Sequence, residues 1–257
     1  MSTYTRIRVE ETHDGRRLRI VLAGGKGNVV DTRMTDELID ALETFTRGRH
    51  VRAVTLEAEG DHFSFGASVP EHAPELATAL LAGLHAVVRA LLTSELPVIA
   101  AVRGACLGGG LELVLPCHRV IAAPDARLGQ PEIALGMFAP AGSALLPGRV
   151  GRALAEDLLL SGRMLSGNQA LAAGLVDQTS DDPESAAVAW FEEHLLPRSA
   201  TAIRMATRAA RAVWVDDALA ALDGVERTFL DELLQTADAQ EGVRSFVEKR
   251  PPCWTDA

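Results

Sequence analysis

Residues 97–113 read PVIAAVRGACLGGGLEL, and this stretch decides the fold. Its first part is a continuous apolar run, which is typical of a strand that is buried on both faces of a sheet. A glycine-rich turn follows, and the pattern predicts that a helix begins near Gly109. A buried strand that leads through glycines into a helix indicates an α/β domain.

The glycine turn also has features that suit an active site. The free N–H groups at a helix start can donate to a developing negative charge, and glycines let a ligand approach the backbone closely. Glu112 falls in the first turn of the predicted helix. By itself the triple glycine is equally consistent with a tight strand–helix packing turn, in which Glu112 only benefits from the helix dipole.

Outward from this stretch, strand-like and helix-like segments alternate, which predicts mostly parallel pairing. The strand-like segments are residues 6–10, 18–22, 51–57 and 120–123, and the helix-like ones are residues 32–45, with Thr32 as the cap, and 75–93. After about residue 185 only helical patterns remain, over residues 186–194, 200–215, 218–234 and 241–249. We therefore predict a core of residues 1–185 and a helical C-terminal region of residues 186–257.

Charge and composition exclude several classes of protein. The 25 basic and 35 acidic residues give a net charge of −10, which disfavours binding to nucleic acid. The three cysteines suit neither a disulfide framework nor a zinc ribbon, so a cytoplasmic location is expected. The longest uncharged run, residues 133–148, is shorter than the roughly 20 residues of a membrane span, and the N-terminus lacks the apolar stretch of a signal peptide.

Two further segments carry groups that suit the same chemistry. Residues 128–136, LGQPEIALG, place Glu132 before an apolar run, where burial raises a carboxyl pKa. Residues 62–69, HFSFGASV, form a loop in which the N–H of Ala67 is a candidate second donor. Two carboxylates beside one pocket can divide acid and base work between them. Taken alone, Glu132 also fits a surface turn and residues 62–69 fit an ordinary loop.

Taken together, the three segments resemble the crotonase, or enoyl-CoA hydratase/isomerase, superfamily. The resemblance covers nearly the whole chain and implies an α/β fold, a crotonase-like spiral of β-β-α units with a helical C-terminal region. It implies that Ala67 and Gly109 form an oxyanion hole for an acyl-CoA thioester, with Glu112 and Glu132 as the acid–base pair of a hydratase. We expect Glu132 to donate or shuttle the proton and Glu112 to orient the water, although the sequence leaves that division open.

The resemblance also implies further contacts to the substrate. The residues expected to bind the acyl part are Gly66, Ser68, Gly108, Phe138 and Pro140. Those expected to bind the CoA part are Phe246 and Lys249 in FVEKR, residues 246–250. Apart from the resemblance, Lys26 in the early glycine-rich loop is a candidate for contact with the CoA phosphates, and it fits a solvated loop lysine equally well. No metal or redox cofactor is expected, since CoA is part of the substrate. A homotrimer or homohexamer is expected, with the C-terminal region providing subunit and CoA contacts.

Two departures from the usual superfamily pattern refine the expectation. Ser68 stands where an aspartate is usual, and residues 137–143 read MFAPAGS in place of the usual glycine-rich segment. Both features are similar to the cyclohexa-1,5-diene-1-carbonyl-CoA hydratases of anaerobic benzoyl-CoA degradation. The alternatives are a general hydratase or isomerase for linear enoyl-CoA, or a non-catalytic, RNA-binding member. The negative charge and the presence of both glutamates argue against the last. His62 and His72 flank the loop and are expected to be structural.

Overall fold

The computed structural model describes residues 4–256 and contains two sheets with helices around them. The strands are β1 Ile7–Thr12, β2 Arg17–Leu22, β3 Ala53–Ala58, β4 Val98–Val102, β5 Ala105–Leu107, β6 Arg119–Ala122, β7 Arg127–Gly129, β8 Met164–Ser166 and β9 Gln178–Thr179. The helices are α1 Thr32–Phe45, α2 Pro74–Leu92, α3 Gly109–Val114, α4 Pro140–Val150, α5 Arg152–Ser161, α6 Gly167–Ala172, α7 Pro183–His194, α8 Ala200–Arg211, α9 Val215–Arg227 and α10 Ala237–Glu248.

The larger sheet has the strand order β1-β2-β3-β4-β6-β9. Its first pair is an antiparallel hairpin, and every later pair is parallel. The smaller sheet has the order β5-β7-β8, with a parallel and an antiparallel pair. This parallel-rich α/β architecture confirms the predicted fold class.

Strand β4 shows how the sheet is covered on both faces. All five of its residues are buried, as its unbroken apolar sequence predicted. Ile99 and Ala101 pack with Phe191 of α7, whereas the alternate residues of β4 join the main core with residues of α1 and α2. β4 therefore holds the glycine turn and α3 at a fixed place at its carboxyl end.

Several element ends differ from the predicted ones, for example at the start of α1 and at the end of α9. Asp31, not Thr32, caps α1, because its carboxylate accepts the N–H of Met34 at 2.8 Å. The hydroxyl of Thr32 instead donates to Glu71 at 2.6 Å. The helix predicted over residues 218–234 ends at Arg227, where a π turn, Thr228–Glu232, follows.

Beyond β9 the described chain contains helices and single helical turns only. Helix α7 packs on β4 and β6 of the sheet, so the first of these helices is part of the core packing. The division at residue 185 stays a prediction. One helical stretch within the described residues, Glu75–Leu92, is long and apolar enough by composition to cross a membrane. Half of it is buried inside the molecule, as is usual for a core helix.

Candidate active site

The loop at residues 63–67 is held between two strand-like partners. Ser64 pairs with Cys106 of β5, and Ala67 pairs with Val30. In the second pairing the N–H of Val30 donates to Gly66 at 2.9 Å, and the N–H of Ser68 donates to Val30 at 2.9 Å. Because successive backbone groups of an extended chain point to opposite sides, the N–H of Ala67 points away from Val30. It accordingly lacks an acceptor among residues 4–256.

The first turn of α3 lies directly beside this N–H. A Cβ atom built on Gly109 lies 3.0 Å from the amide nitrogen of Ala67, and one built on Gly110 lies 2.5 Å from the Cβ of Ser64. Gly109 is the first residue of α3, so its N–H has no partner within the helix. The close approach, which only glycine permits, places two unpaired amides side by side as a pair of donors.

Glu112 lies one turn further along α3 and is 2 % exposed. Its Oε1 atom accepts the N–H of Gly142 at 2.8 Å, and the N–H of Ala141 also donates to the carboxylate. Both amides belong to the first turn of α4, where Pro140 takes the first helical position. Burial raises the pKa of Glu112 to about 7, although the two N–H groups act to lower it.

The smaller sheet positions Glu132 in the same region as Glu112. The pairing of β5 with β7 brings residues 129–132 beside the glycine turn, and the N–H of Gly108 donates to Gly129 at 3.0 Å. Gly108 has φ +50° and ψ −128°, and a Cβ built on it lies 2.4 Å from Oε1 of Glu132. Burial, and then the charge of Glu112, raise the pKa of Glu132 to about 8.

The buried side chain of Gln130 supports this carboxylate. In the amide orientation that satisfies its neighbours, its nitrogen lies 3.3 Å from both oxygens of Glu132 and 3.2 Å from the carbonyl oxygen of Gly108. A Cβ built on Gly142 lies 2.7 Å from the other terminal atom of this amide, which is its oxygen in that orientation. Gln130 thus fills the space between the segments that carry the two glutamates.

These groups open into a cavity of about 70 Å³, called here the acyl cavity. Its walls combine α2 with the segment after Glu132 and with the C-terminal region. The apolar lining residues are Phe65, Val69, Ala77, Leu80, Leu81, Leu84, Leu135, Met137, Phe138 and Phe229. A carbonyl compound in this cavity meets two donors for its oxygen and two carboxyl groups in surroundings of low polarity.

His72 also lines the acyl cavity, which the sequence analysis did not predict. Its Nδ1 atom lies 2.9 Å from the carbonyl oxygen of Ser68 and donates to it, and its ring meets Phe229 edge-on with centroids 6.4 Å apart. Burial lowers the pKa of His72, so the ring is neutral near pH 7. His62, by contrast, is structural: its Nδ1 atom accepts the N–H of Ala105 at 3.1 Å.

Most of the predicted site residues meet in this cavity. Its lining contains Gly66, Ala67, Gly108, Gly109, Glu112, Glu132, Phe138 and Pro140. Ser68 does not line it, because its backbone binds Val30 and His72 and its side chain is buried. Lys26, Phe246 and Lys249 are exposed and outside the lining, so their contact with CoA stays a prediction. Within residues 4–256, no three metal-ligating side chains gather.

Apart from His72 and the immediate neighbours of predicted site residues, the unpredicted lining residues come from α2 and from the π turn. The leucines of α2 repeat on more than one face of the helix, and this excess of apolar positions was the available signal. Phe229 carried no such signal, because the π turn that directs it could not be read from the sequence.

Comparison with known proteins gives consistent matches over the whole chain. Residues 20–257 match the model of the enoyl-CoA hydratase/isomerase family. The chain is 49% identical over 241 residues to a cyclohexa-1,5-dienecarbonyl-CoA hydratase of Thauera aromatica, covering 94% of this chain and 93% of that protein. A probable enoyl-CoA hydratase of Bacillus subtilis strain 168 is 33% identical over 233 residues, covering 88% and 90%.

Solved structures also superpose closely on this chain. A crystal structure of an enoyl-CoA hydratase/isomerase from Pseudoalteromonas atlantica T6c superposes with a TM-score of 0.84 at 30% identity, over 98% of this chain and all of that one. An enoyl-CoA hydratase from Mycobacterium avium subsp. paratuberculosis K-10 superposes with a TM-score of 0.86 at 26% identity, over 99% of this chain and all of that one.

Proposed function

We propose, from the premise that this chain belongs to the enoyl-CoA hydratase/isomerase family, that it adds water to the thioester cyclohexa-1,5-diene-1-carbonyl-CoA. The observation that carries the proposal is the meeting of two unpaired amides, of Ala67 and Gly109, with the buried carboxyl group of Glu112 and the half-buried carboxyl group of Glu132 in one apolar cavity. An oxyanion hole and an acid–base pair are the parts that hydration of a conjugated thioester needs.

In the proposed reaction the thioester oxygen accepts hydrogen bonds from Ala67 and Gly109. Glu112 in its ionised form takes a proton from water as the water oxygen bonds to the β carbon. Negative charge then passes to the thioester oxygen as an enolate, and each amide donor is worth about 3–4 kcal/mol there. Glu132 in its protonated form delivers its proton to carbon, and the cycle closes when the proton on Glu112 replaces it.

The contacts of the two glutamates support this division of roles. Glu112 accepts two N–H groups from the start of α4, and these favour its anion. Glu132 receives no such backbone pair from α4, and burial, and then the charge of Glu112, favour its protonated form. The two carboxyl groups titrate as a pair, with one proton shared between them near neutral pH.

A cyclic substrate is favoured by the walls of the cavity and by the 49% identical hydratase from Thauera aromatica. The rings of Phe138 and Phe229 line the cavity and meet each other edge-on, and Pro140 stiffens one wall. A rigid apolar site orders less when it binds a flat ring than when it binds a flexible chain. A role in degradation of aromatic compounds follows from this substrate.

The alternative is hydration or isomerisation of a linear enoyl-CoA, which the probable enoyl-CoA hydratase of Bacillus subtilis favours. One assay separates the two: loss of conjugated absorbance with crotonyl-CoA, a long-chain enoyl-CoA and the cyclic dienoyl-CoA. We expect kcat/KM for the cyclic thioester to exceed that for crotonyl-CoA by at least about tenfold. Equal values, or a preference for crotonyl-CoA, reject the cyclic substrate. RNA retention in a filter-binding assay, without turnover, supports the non-catalytic alternative.

We further propose a cytoplasmic homotrimer or homohexamer that needs no metal and binds neither nucleic acid nor membrane. Of the large apolar side chains in the C-terminal region, Phe191 and Phe229 are buried within the chain, whereas Trp214 and Phe246 are 40% and 51% exposed. The exposed pair supports coverage by a neighbouring subunit or by CoA. Sedimentation at micromolar concentration tests the assembly, and a monomer rejects it.

A further inference from the structure

A second cavity lies behind the segment that follows Glu132. This rear cavity has a volume of about 390 Å³, and its apolar walls come from Ile133, Leu233 and Trp254. Met137 and Phe138 line both the rear cavity and the acyl cavity. These two side chains therefore form the partition between a small cavity that contains the acid–base pair and a much larger one that does not.

Phe138 is the more exposed half of this partition. Met137 is 2% exposed, whereas Phe138 is only half-buried. The ring of Phe138 meets that of Phe229 edge-on, with centroids 5.4 Å apart and planes at 82°. The backbone on its C-terminal side is held, since Pro140 begins α4. A change in the partition therefore falls on the side-chain torsions of Phe138 rather than on its backbone.

The volumes of the two cavities indicate how the partition affects the size of acyl group that can bind. An apolar cavity of about 150 Å³ accepts benzene, and the acyl cavity measures about 70 Å³. The acyl cavity is therefore already small for a six-membered ring and has no room for a longer acyl chain. The space available beyond Phe138 is the rear cavity, whereas Leu80 and Leu84 are backed by the packed core.

We propose that Phe138 sets the depth of the acyl site, closing it off from the rear cavity so that compact acyl groups are accepted and long linear ones are rejected. This inference rests on the proposed function and adds a residue that selects substrates by length. The rear cavity suits an apolar chain, because its walls include Ile133, Leu233 and Trp254. It does not suit a second carboxylate, because Asp238 and Asp256 also line it.

The C-terminal tail forms one wall of the rear cavity, which is a groove open to solvent. The carboxylate of Asp238 accepts the N–H groups of Thr255 and Asp256 at 2.7 and 2.9 Å. The ring of Trp254 lies against Gly136, where a built Cβ atom comes within 3.0 Å of it. The groove thus has a fixed wall on this side, and a chain that passes residue 138 can lie against Trp254.

The test compares chain-length preference in wild type and in Phe138→Ala. We expect the ratio of kcat/KM for trans-2-decenoyl-CoA to that for crotonyl-CoA to rise at least tenfold, the low end of what one methylene is worth in an apolar pocket. Leu233→Ala is the matched control, since it enlarges the rear cavity and keeps both partition residues, Met137 and Phe138, and the ratio should stay at the wild-type value. Leu233→Phe in the Phe138→Ala background refills the cavity and should reverse the gain.

Binding of saturated butyryl-CoA and decanoyl-CoA, measured by calorimetry, gives a readout that does not need turnover. The proposal is overturned if folded Phe138→Ala shows the wild-type chain-length ratio, or if Leu233→Ala raises the ratio equally. If Phe138→Ala does not fold, Phe138→Leu carries the same test with a smaller expected rise. Wild type that hydrates no enoyl-CoA rejects the proposed function, while the binding ratios still decide the role of Phe138.

Discussion

Replacement of Gly108 by alanine tests whether the glycine turn positions the acid–base pair. At φ +50° and ψ −128° the residue occupies a region that is open to glycine and strained for alanine, at a cost of about 1–3 kcal/mol in unfolding free energy. The new methyl group lies 2.4 Å from Oε1 of Glu132, closer than any non-bonded contact. The flexible carboxylate yields rather than the backbone, and a shift of about 1 Å in a reacting group costs about a hundredfold in rate.

Gly224→Ala is the matched control. Gly224 lies in α9, and a Cβ atom built on it meets nothing within 4 Å. Since alanine is the better helix former, this variant should gain up to about 1 kcal/mol in unfolding free energy and keep its activity. Urea denaturation gives the stability of both variants, and loss of conjugated absorbance gives kcat. If Gly108→Ala matches Gly224→Ala in stability and turnover, the geometry assigned to residue 108 is wrong.

Three other outcomes are expected. Glu112→Gln and Glu132→Gln should each lower kcat at least about a hundredfold while CoA-ester binding changes far less, and near wild-type turnover in either variant contradicts the two-carboxylate mechanism. The pKa values of Glu112 and Glu132 are raised to about 7 and about 8, against 4.5 for a free glutamate. Between about pH 4.5 and pH 8 the folded chain therefore binds more protons than the unfolded chain. Stability therefore falls as pH rises from about 4.5 to about 8, and denaturation of Glu112→Gln across this range should show a shallower fall. Arg211→Met should lower the unfolding free energy by about 3 kcal/mol, because the buried guanidinium of Arg211 donates to three carbonyl groups. These belong to Leu91, Leu92 and Pro116. A loss below about 1 kcal/mol in urea denaturation refutes this prediction.

Sequence patterns predicted the elements whose packing is local. β4 is apolar throughout because both of its faces are covered, and the helical spacing of leucines marked α2. β7 and β8 have three residues each, which is too short for a periodic pattern, so the smaller sheet went unpredicted. That sheet is what brings Glu132 to Gly108, and the meeting of the two could be expected only from the family resemblance.

The site residues also divide into those that short sequence motifs predicted and those that they did not. Residues in short motifs, such as Ala67 and Gly109, were predicted because backbone donors need glycine and small neighbours at fixed places. Gln130, His72 and Phe229 were missed because their roles depend on contacts across the chain. Phe229 is the clearest case, since an uninterrupted helix over residues 218–234 was expected and the π turn changes the direction of its side chain.

The hydrogen bonds that shape the loop with the Ala67 donor join residues far apart in the sequence, and this separation affects the order of folding. The hydroxyl of Ser64 donates to the carbonyl oxygen of Asn28 across 36 residues, and the N–H of Ala105 donates to His62 across 43. Contacts of such long sequence separation form late, because each requires the closure of a large loop before it contributes any stabilisation. During refolding from denaturant, helical circular dichroism should therefore recover ahead of enzymatic activity, and a chain still emerging from the ribosome has helices before it has a site.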